Sequence, residues 1–291
     1  MPVYLYLAMG ILLKTLLKEA KLYAYTIQEV LDQFLKFDGK VLVLLDTETV
    51  GLEPNTPYIQ LTHLAAMAFD GSTLAELGEF SKKVNIGEPL HRAINDPASP
   101  EATHLGKEMA RRLKKYKRPD KHPAELLKMT GYYDGNEEKL DEKAALIAFE
   151  EFLNKFDNVI LVAHNAVFDL KTIQARRRFH GLPPMKRYPV LDTLKITRLF
   201  FVPALVSMET TPEVKAILDG LLAKTKYRSY TSSLGKLAQV LGVKVDNWHD
   251  AKEDVKMLFQ VLQKVIEFLR KNADTNIHKQ QGLAAKRYRK M

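Results

Sequence analysis

The stretch VLVLLDTETVGL, residues 41–52, combines an apolar run with an acidic end. Its first five residues are apolar without alternation, which is typical of a strand covered on both faces. Asp46 and Glu48 follow at positions i and i+2, so their side chains project to the same face of the strand. Two carboxylates this close repel each other unless a proton or a cation lies between them. Taken alone, the pair fits a strand end that reaches solvent as well as a functional carboxylate pair.

The composition is that of an ordinary globular protein with excess positive charge. The chain has 291 residues, of which 46% are hydrophobic and 27% charged, enough for one large domain with additions or for two smaller ones. The formal net charge of +9 indicates a polyanionic partner. The absence of cysteine excludes disulfides and thiolate metal sites, and it favours a reducing, intracellular compartment, which we take as the cytoplasm.

The N-terminal region, residues 1–38, is predicted to be a helical extension. Its apolar opening, Val3 to Leu13, is too short to cross a bilayer, which needs about 20 residues, and no basic segment of a secretory signal precedes it. We therefore expect no membrane association, and we interpret this opening as a helix docked on the domain or on a partner. Thr26 to Glu29 has the form of a capping box, and the helix that it begins is expected to end before Gly39.

The pattern of the remaining chain predicts an α/β fold with a mixed sheet. Tyr58 to Phe69 and Thr73 to Val84 are strand candidates joined by a short turn, which makes them an antiparallel hairpin. Residues 159–163 are a second short apolar strand, and a further strand includes Val190. Helices are predicted over residues 142–156, 167–180, 193–201, 233–241 and 251–270, with another starting at 211–212. Strands followed by alternating helices and strands indicate a mixed sheet with helices on its faces.

Two segments differ in character from the rest of the chain. The segment at about residues 87–126 is rich in cations, and residues 200–231 contain the sequence KTKYRSY. A charge run is commonly a solvated helix face. Cations interleaved with Tyr116, Tyr227 and Tyr230 also suit phosphate contacts and base stacking, so we favour contact with nucleic acid.

A third acid, Asp169, follows the second apolar strand in the sequence AHNAVFD. A carboxylate in the first turns of a helix is also expected simply because it interacts favourably with the helix dipole. Functional groups of an open α/β sheet gather at strand ends, so Asp169 would approach Asp46 and Glu48 if the two strands are neighbours.

The sequence WHDAKED supplies a fourth acid and a histidine. Asp250 fits the N-cap of the last helix with Glu253 at N3, which places His249 and Asp254 at positions that contact each other across a cap. Together, the four acids and the histidine make sense as a metal site. Oxygen ligands suit Mg²⁺ or Mn²⁺, two such ions can assist in-line phosphoryl displacement, and a histidine can accept the proton of the attacking water.

These motifs resemble those of the DEDDh 3′–5′ exonucleases, which have a ribonuclease H-like fold. The Asp-x-Glu motif is similar to Asp46-Thr47-Glu48, and the motif His-Asn-x-x-Phe-Asp is similar to residues 164–169. The third motif, a histidine followed five residues later by an aspartate, is similar to His249 and Asp254. The tyrosine-type branch would need Tyr at position 250, where this chain has aspartate.

The resemblance covers about residues 40–270 and implies a domain organisation and a site. The exonuclease domain would span residues 39–271, with helices on both faces of its sheet, and residues 272–291 would be a basic tail. The resemblance implies two Mg²⁺ or Mn²⁺ ions and His249 as general base. It implies as metal ligands Asp46, Glu48, Asp169 and Asp254, and as residues near the 3′-terminal nucleotide Thr49, Leu52, Asn165 and Phe168.

The function implied is hydrolysis of single-stranded DNA from its 3′ end to nucleoside 5′-monophosphates, in the setting of DNA replication or repair. An RNA-trimming exonuclease is the alternative within the class, because the motifs carry no information on contacts to the 2′-OH. A catalytically inactive nucleic-acid-binding module tethered to a polymerase is the alternative from another class. A polymerase or another replication protein is accordingly a candidate partner.

Overall fold

The computed structural model describes residues 27–50, 60–96, 98–100, 102–103, 107, 132, 139–208, 211–222, 230–244 and 250–274. The strands are β1 Val41–Thr49, β2 Leu61–Asp70, β3 Glu76–Lys83, β4 Val159–Ala163 and β5 Val190–Asp192. The helices are α1 Ile27–Phe34, α2 Glu88–Asn95, α3 Glu142–Leu153, α4 Ala166–Phe179, α5 Thr193–Ile196, α6 Val202–Ser207, α7 Pro212–Leu221, α8 Leu234–Val240 and α9 Ala251–Lys271, with a π-helical turn Thr197–Phe201 between α5 and α6. None of the helices described is long and apolar enough to cross a membrane.

The five strands form one mixed sheet in the order β3-β2-β1-β4-β5. β1 is antiparallel to β2 and parallel to β4, and β4 is parallel to β5. The predicted α/β class with a mixed sheet is confirmed, and the two apolar strands of the sequence are neighbours as expected. Because parallel strands end at the same edge of a sheet, the acidic end of β1 lies at the edge from which α4 starts after β4.

Both faces of β1 are covered, which explains its unbroken apolar run. Val43 and Leu45 are fully buried in a core that α3 and α4 complete with Phe149 and Ile173. Leu44, on the opposite face, is also fully buried. Each such side chain contributes about 1.5–3 kcal/mol through burial, so the register of β1 is strongly fixed.

The hairpin of β2 and β3 turns where the sequence predicts. One carboxylate oxygen of Asp70, Oδ1, accepts hydrogen bonds from the backbone N–H groups of Ser72 and Thr73 and from the Thr73 hydroxyl, at 2.7–3.0 Å. Gly71 approaches the chain so closely that an added Cβ would lie 2.2 Å from the carbonyl oxygen of Phe37. The turn therefore requires glycine at this position.

By internal packing the chain divides into two units. One contains the sheet, residues 37–193 and 242–261. The other contains α1 together with the described parts of residues 194–241 and 262–274, and in it the backbone N–H of Gln28 donates to the carbonyl of Ala273 at 3.0 Å. The boundaries predicted for a helical extension, an exonuclease domain and a basic tail stay a prediction.

The segment at about residues 87–126, which the resemblance to the family makes the first of two insertions, lies in a stretch of chain that leaves β3 and returns to α3 at one place. Val84 and Leu140 form a parallel bridge, and the N–H of Asn85 donates to the carbonyl of Leu140 at 2.8 Å. Gly87 is held by Gln60, whose side-chain oxygen accepts its N–H at 2.7 Å and whose backbone carbonyl accepts the N–H of Val50. The insertion thus begins beside the acidic end of β1. Its cationic residues from 108 to 121, and residues 1–26 of the predicted extension, lie outside the described residues.

Candidate active site

Three carboxylates from two elements meet at the end of β1. Ligand oxygens of Asp46 and Glu48, on β1, and of Asp254, in the first turn of α9, all lie within 4.8 Å of one another. Two oxygens on opposite sides of one Mg²⁺ or Ca²⁺ ion are separated by about 4–5 Å. Among the residues that the structure describes, this group is the one whose acids are placed to share a divalent cation.

The first turn of α9 is positioned by its N-cap. Asp250 Oδ1 accepts hydrogen bonds from the N–H groups of Lys252 and Glu253 at 3.0 and 3.2 Å, as the sequence predicts for an N-cap aspartate. Lys252 Nζ also forms an ion pair of 2.6 Å with Glu79 on β3. The cap and the ion pair place Asp254 one turn into the helix, facing the acids of β1.

Asp169 reaches the same strand from the other side. It is 2% exposed, and its Oδ1 accepts hydrogen bonds from both the N–H and the hydroxyl of Thr47, at 3.0 and 2.7 Å. The helix that carries it begins after Asn165, whose left-handed backbone (φ 74°) redirects the chain at the end of β4 and whose N–H donates to Asp192 Oδ1 at 3.2 Å. Asp169 is not a member of the group of three within 4.8 Å. It is close enough, however, to raise the pKa of both Asp46 and Glu48.

The electrostatics of the site are those of acids that lack a counter-charge. Burial raises the pKa of Asp46 well above its usual range, and the neighbouring carboxylates, Asp169 first, raise it further. Burial, followed by repulsion from Asp254 and Asp169, raises the pKa of Glu48 to about 8. Burial raises the pKa of Asp169 to about 7 although its hydrogen bonds from Thr47 act in the opposite direction. With its pKa at about 8, Glu48 retains its proton at neutral pH in the absence of a cation, and a divalent cation would replace that proton.

The other predicted site residues divide into described and undescribed positions. Thr49 is half-buried at the end of β1, Asn165 is exposed, and Phe168 is half-buried in the first turn of α4. All three therefore lie at the edge of the sheet where the acids meet. Leu52 and His249 lie outside the described residues, so their predicted roles stay predictions.

Two polar residues near the acids are not among the site residues that the sequence predicts. Asp250 raises the pKa of Asp46 and Glu48 in addition to capping α9, so it is a fifth carboxylate at the site. His63 is 3% exposed and pairs with Glu48 in the register of β1 and β2, which places the two side chains on one face of the sheet. Its Nε2 lies 2.9 Å from the hydroxyl of Ser81, and its Nδ1 lies 3.8 Å from Asp250 Oδ2. A lone histidine within an apolar strand is the only signal of this arrangement in the sequence.

A comparison with family models identifies the chain. The model of the RNase_T family, described as "Exonuclease", matches residues 102–262, which is more than half of the chain. The chain belongs to this exonuclease family. The predicted enzyme class, a 3′–5′ exonuclease with DEDD-type motifs in the ribonuclease H-like superfamily, is thereby confirmed. The matched range includes Asp169 and Asp254 and begins after β1.

Curated relatives and solved structures agree with this assignment. The chain is 26% identical over 230 residues to the PolC-type DNA polymerase III of Streptococcus pneumoniae, and 25% identical over 237 residues to that of Streptococcus agalactiae. These alignments cover 77% and 81% of this chain, which spans only 11% and 12% of the relatives.

The fold is similar to that of exonuclease I from Escherichia coli in complex with a dT13 oligonucleotide. The TM-score is 0.53 at 14% identity, over 80% of this chain and 42% of the other. A product-bound structure of exonuclease I gives a TM-score of 0.52 at 13% identity, over 80% of this chain and 46% of the other. The predicted ribonuclease H-like fold is confirmed by this similarity.

Proposed function

We propose that this exonuclease hydrolyses single-stranded DNA from its 3′ end and releases nucleoside 5′-monophosphates with the help of two Mg²⁺ or Mn²⁺ ions. The observation that supports this most directly is the convergence of Asp46, Glu48 and Asp254 within 4.8 Å. The donor set consists of carboxylate oxygens alone, which is the chemistry that hard divalent cations prefer. Such ions, when bound, stabilise the attacking and leaving oxygens of an in-line displacement.

Each residue of the site would have its own role in the reaction. Asp46, Glu48 and Asp254 would hold the ions from β1 and α9, and Asp169 would complete the ligand set from α4. His249 would accept the proton of the attacking water, since imidazole is a side chain that can take up and release protons near neutral pH. The 3′-terminal nucleotide would lie against Thr49, Leu52, Asn165 and Phe168.

The choice of DNA as substrate is supported by the relatives and by charge. The curated relatives are named as DNA polymerases, and one similar structure holds a dT13 oligonucleotide. The net charge of +9 suits a polyanion. Because the alignments cover only about a tenth of each polymerase, association with a polymerase is, like DNA as the substrate, a proposal.

The test is digestion of end-labelled single-stranded DNA, duplex DNA and RNA of one sequence, first with Mg²⁺ and then with EDTA. We expect stepwise shortening from the 3′ end, fastest on single-stranded DNA, with mononucleotides as product and no reaction in EDTA. Asp46→Asn is the inactive control. Faster digestion of RNA would favour the RNA-trimming alternative. Binding without hydrolysis in every metal tested would favour an inactive module, and either result would overturn the proposal.

A further inference from the structure

Thr47 lies between the two acids of β1 but faces the opposite side of the strand. Successive side chains of a strand alternate between its faces, so Asp46 and Glu48 face Asp254 while Thr47 faces α4. Thr47 is 5% exposed, and both its N–H and its hydroxyl donate to one oxygen of Asp169. Asp46 and Glu48 thus belong to the acids on one face of the sheet, and Thr47 contacts the acid on the other face.

The N–H of Thr47 is available to a side chain because β4 is shorter than β1. The paired register of β1 with β4 runs from Val41 to Leu44, whereas β1 continues to Thr49. Beyond Leu44, the backbone edge of β1 that faced β4 would need other hydrogen-bond partners. The carboxylate of Asp169 accepts the N–H of Thr47 at this edge and so continues the ladder with a side chain.

The two hydrogen bonds fix the direction of a buried carboxylate. An aspartate at the first turn of a helix can rotate about two side-chain bonds, and burial alone does not select one orientation. Bonds of 3.0 and 2.7 Å to one oxygen hold the carboxylate plane, and with it the direction of the second oxygen. Thr47 is β-branched and therefore restricted in χ1, so it is a stiff donor.

From this geometry we infer that Thr47 is a positioning residue, whose hydroxyl aims Asp169 at the metal-binding end of β1. The inference rests on the proposed function, because it assigns to Asp169 a role in binding a cation or the substrate phosphate that the cation holds. Thr47 itself contacts neither, and its contribution is the orientation of Asp169.

The test compares Thr47→Val, which keeps the shape and β-branching, with Thr47→Ser, which keeps the hydroxyl. A matched control is Thr62→Val on β2, since Thr62 is 1% exposed and its hydroxyl has no hydrogen-bond partner among the described residues. The readouts are kcat, the Mg²⁺ concentration at half-maximal activity, and the rise in Tm that Mg²⁺ produces without substrate.

We expect Thr47→Val to lower kcat about 10- to 100-fold, as the loss of a hydrogen bond to a charged group predicts, and to diminish the Mg²⁺-induced rise in Tm. Thr47→Ser should restore most of both, and Thr62→Val should change neither. If Thr47→Val lowers the basal Tm alone, with kcat and metal dependence equal to those of Thr62→Val, Thr47 is only structural and the inference is wrong. Absence of nuclease activity in the wild type would instead overturn the proposed function, and the Mg²⁺-induced change in Tm would then still test Thr47 separately.

Discussion

The protonated state of Glu48 predicts that the metal-free protein loses stability as the pH rises toward neutrality. Its pKa is raised from an ordinary 4.5 to about 8, chiefly by burial and then by Asp254 and Asp169. Between these two values the folded state holds a proton at Glu48 that the unfolded state has lost. The stabilisation is therefore complete below pH 4.5 and is lost as the pH rises through about 8. One such proton changes the free energy of unfolding by about 1.4 kcal/mol per pH unit.

The perturbation that isolates this effect is Glu48→Gln, which keeps the size of the side chain and removes its titration. From pH 5.5 to 7.0, the loss of stability should be smaller in this variant than in the wild type by about 2 kcal/mol. The measurement is urea unfolding in EDTA at several pH values across this range. Glu151→Gln, at an exposed position of α3, is the control and should follow the wild type. An equal loss of unfolding free energy between pH 5.5 and 7.0 in the wild type and in Glu48→Gln would refute the reasoning.

Divalent cations should reverse the same trend, because carboxylates must lose their protons before they bind a metal. With a pKa of about 8, Glu48 alone would release about 0.9 of a proton when Mg²⁺ binds at pH 7. Titration calorimetry in two buffers with different ionisation enthalpies measures this release. The number of protons released should fall by nearly one in Glu48→Gln, and an unchanged number would show that another group releases the proton.

Four further sets of substitutions test the proposed site and substrate. Asp46→Asn should abolish hydrolysis in end-labelled DNA assays without lowering Tm in EDTA, because it relieves repulsion between closely spaced acids. His249→Ala should lower kcat about 10²- to 10⁴-fold and remove the ascending limb of the pH–rate profile, and wild-type rates near pH 7 would contradict its role as base. Asp250→Ala should lose about 0.5–2 kcal/mol in urea unfolding, whereas Asp250→Asn, which still caps α9, should lose less. Changing four cations of the first insertion to Gln should weaken binding of single-stranded DNA and reduce the salt slope of binding by about 0.7 per lost phosphate contact. Equal salt slopes for the variant and the wild type would contradict these contacts. The four cations are Lys114, Lys115, Lys117 and Arg118.

The sequence allowed the sheet and the placement of the acids to be predicted because both depend on short-range patterns. The apolar run of β1 requires two covered faces, and the i, i+2 spacing of Asp46 and Glu48 requires one shared face. The cap at Asp250 is likewise local, because an N-cap aspartate bonds N–H groups two and three residues later. Such features follow from a few neighbouring residues and do not depend on how distant segments pack.

The contacts between distant segments could not be predicted in this way. The bonds from Thr47 to Asp169 join residues 122 positions apart, and they arise because β4 ends before β1 does. His63 approaches Asp250 only through the register of the hairpin and the packing of α9. The helix predicted over residues 193–201 also continues, through a π-helical turn, into α6 up to Ser207. Pro203 follows directly on the π-helical turn, where the regular i→i−4 hydrogen-bond ladder is already interrupted, so its missing N–H is tolerated within this continuous helix.

The bridge between Val84 and Leu140 at the base of the first insertion would allow that segment to be exchanged. Val84 and Leu140 are held side by side, so the chain leaves and re-enters the sheet at one point. The entropy of closing such a loop rises by only about 0.6 kcal/mol for each doubling of its length. Insertions of very different length and charge could therefore be carried on one catalytic scaffold without moving β1. A replacement of residues 88–138 by a short glycine-serine linker should leave the acids in place while changing which nucleic acids the enzyme retains.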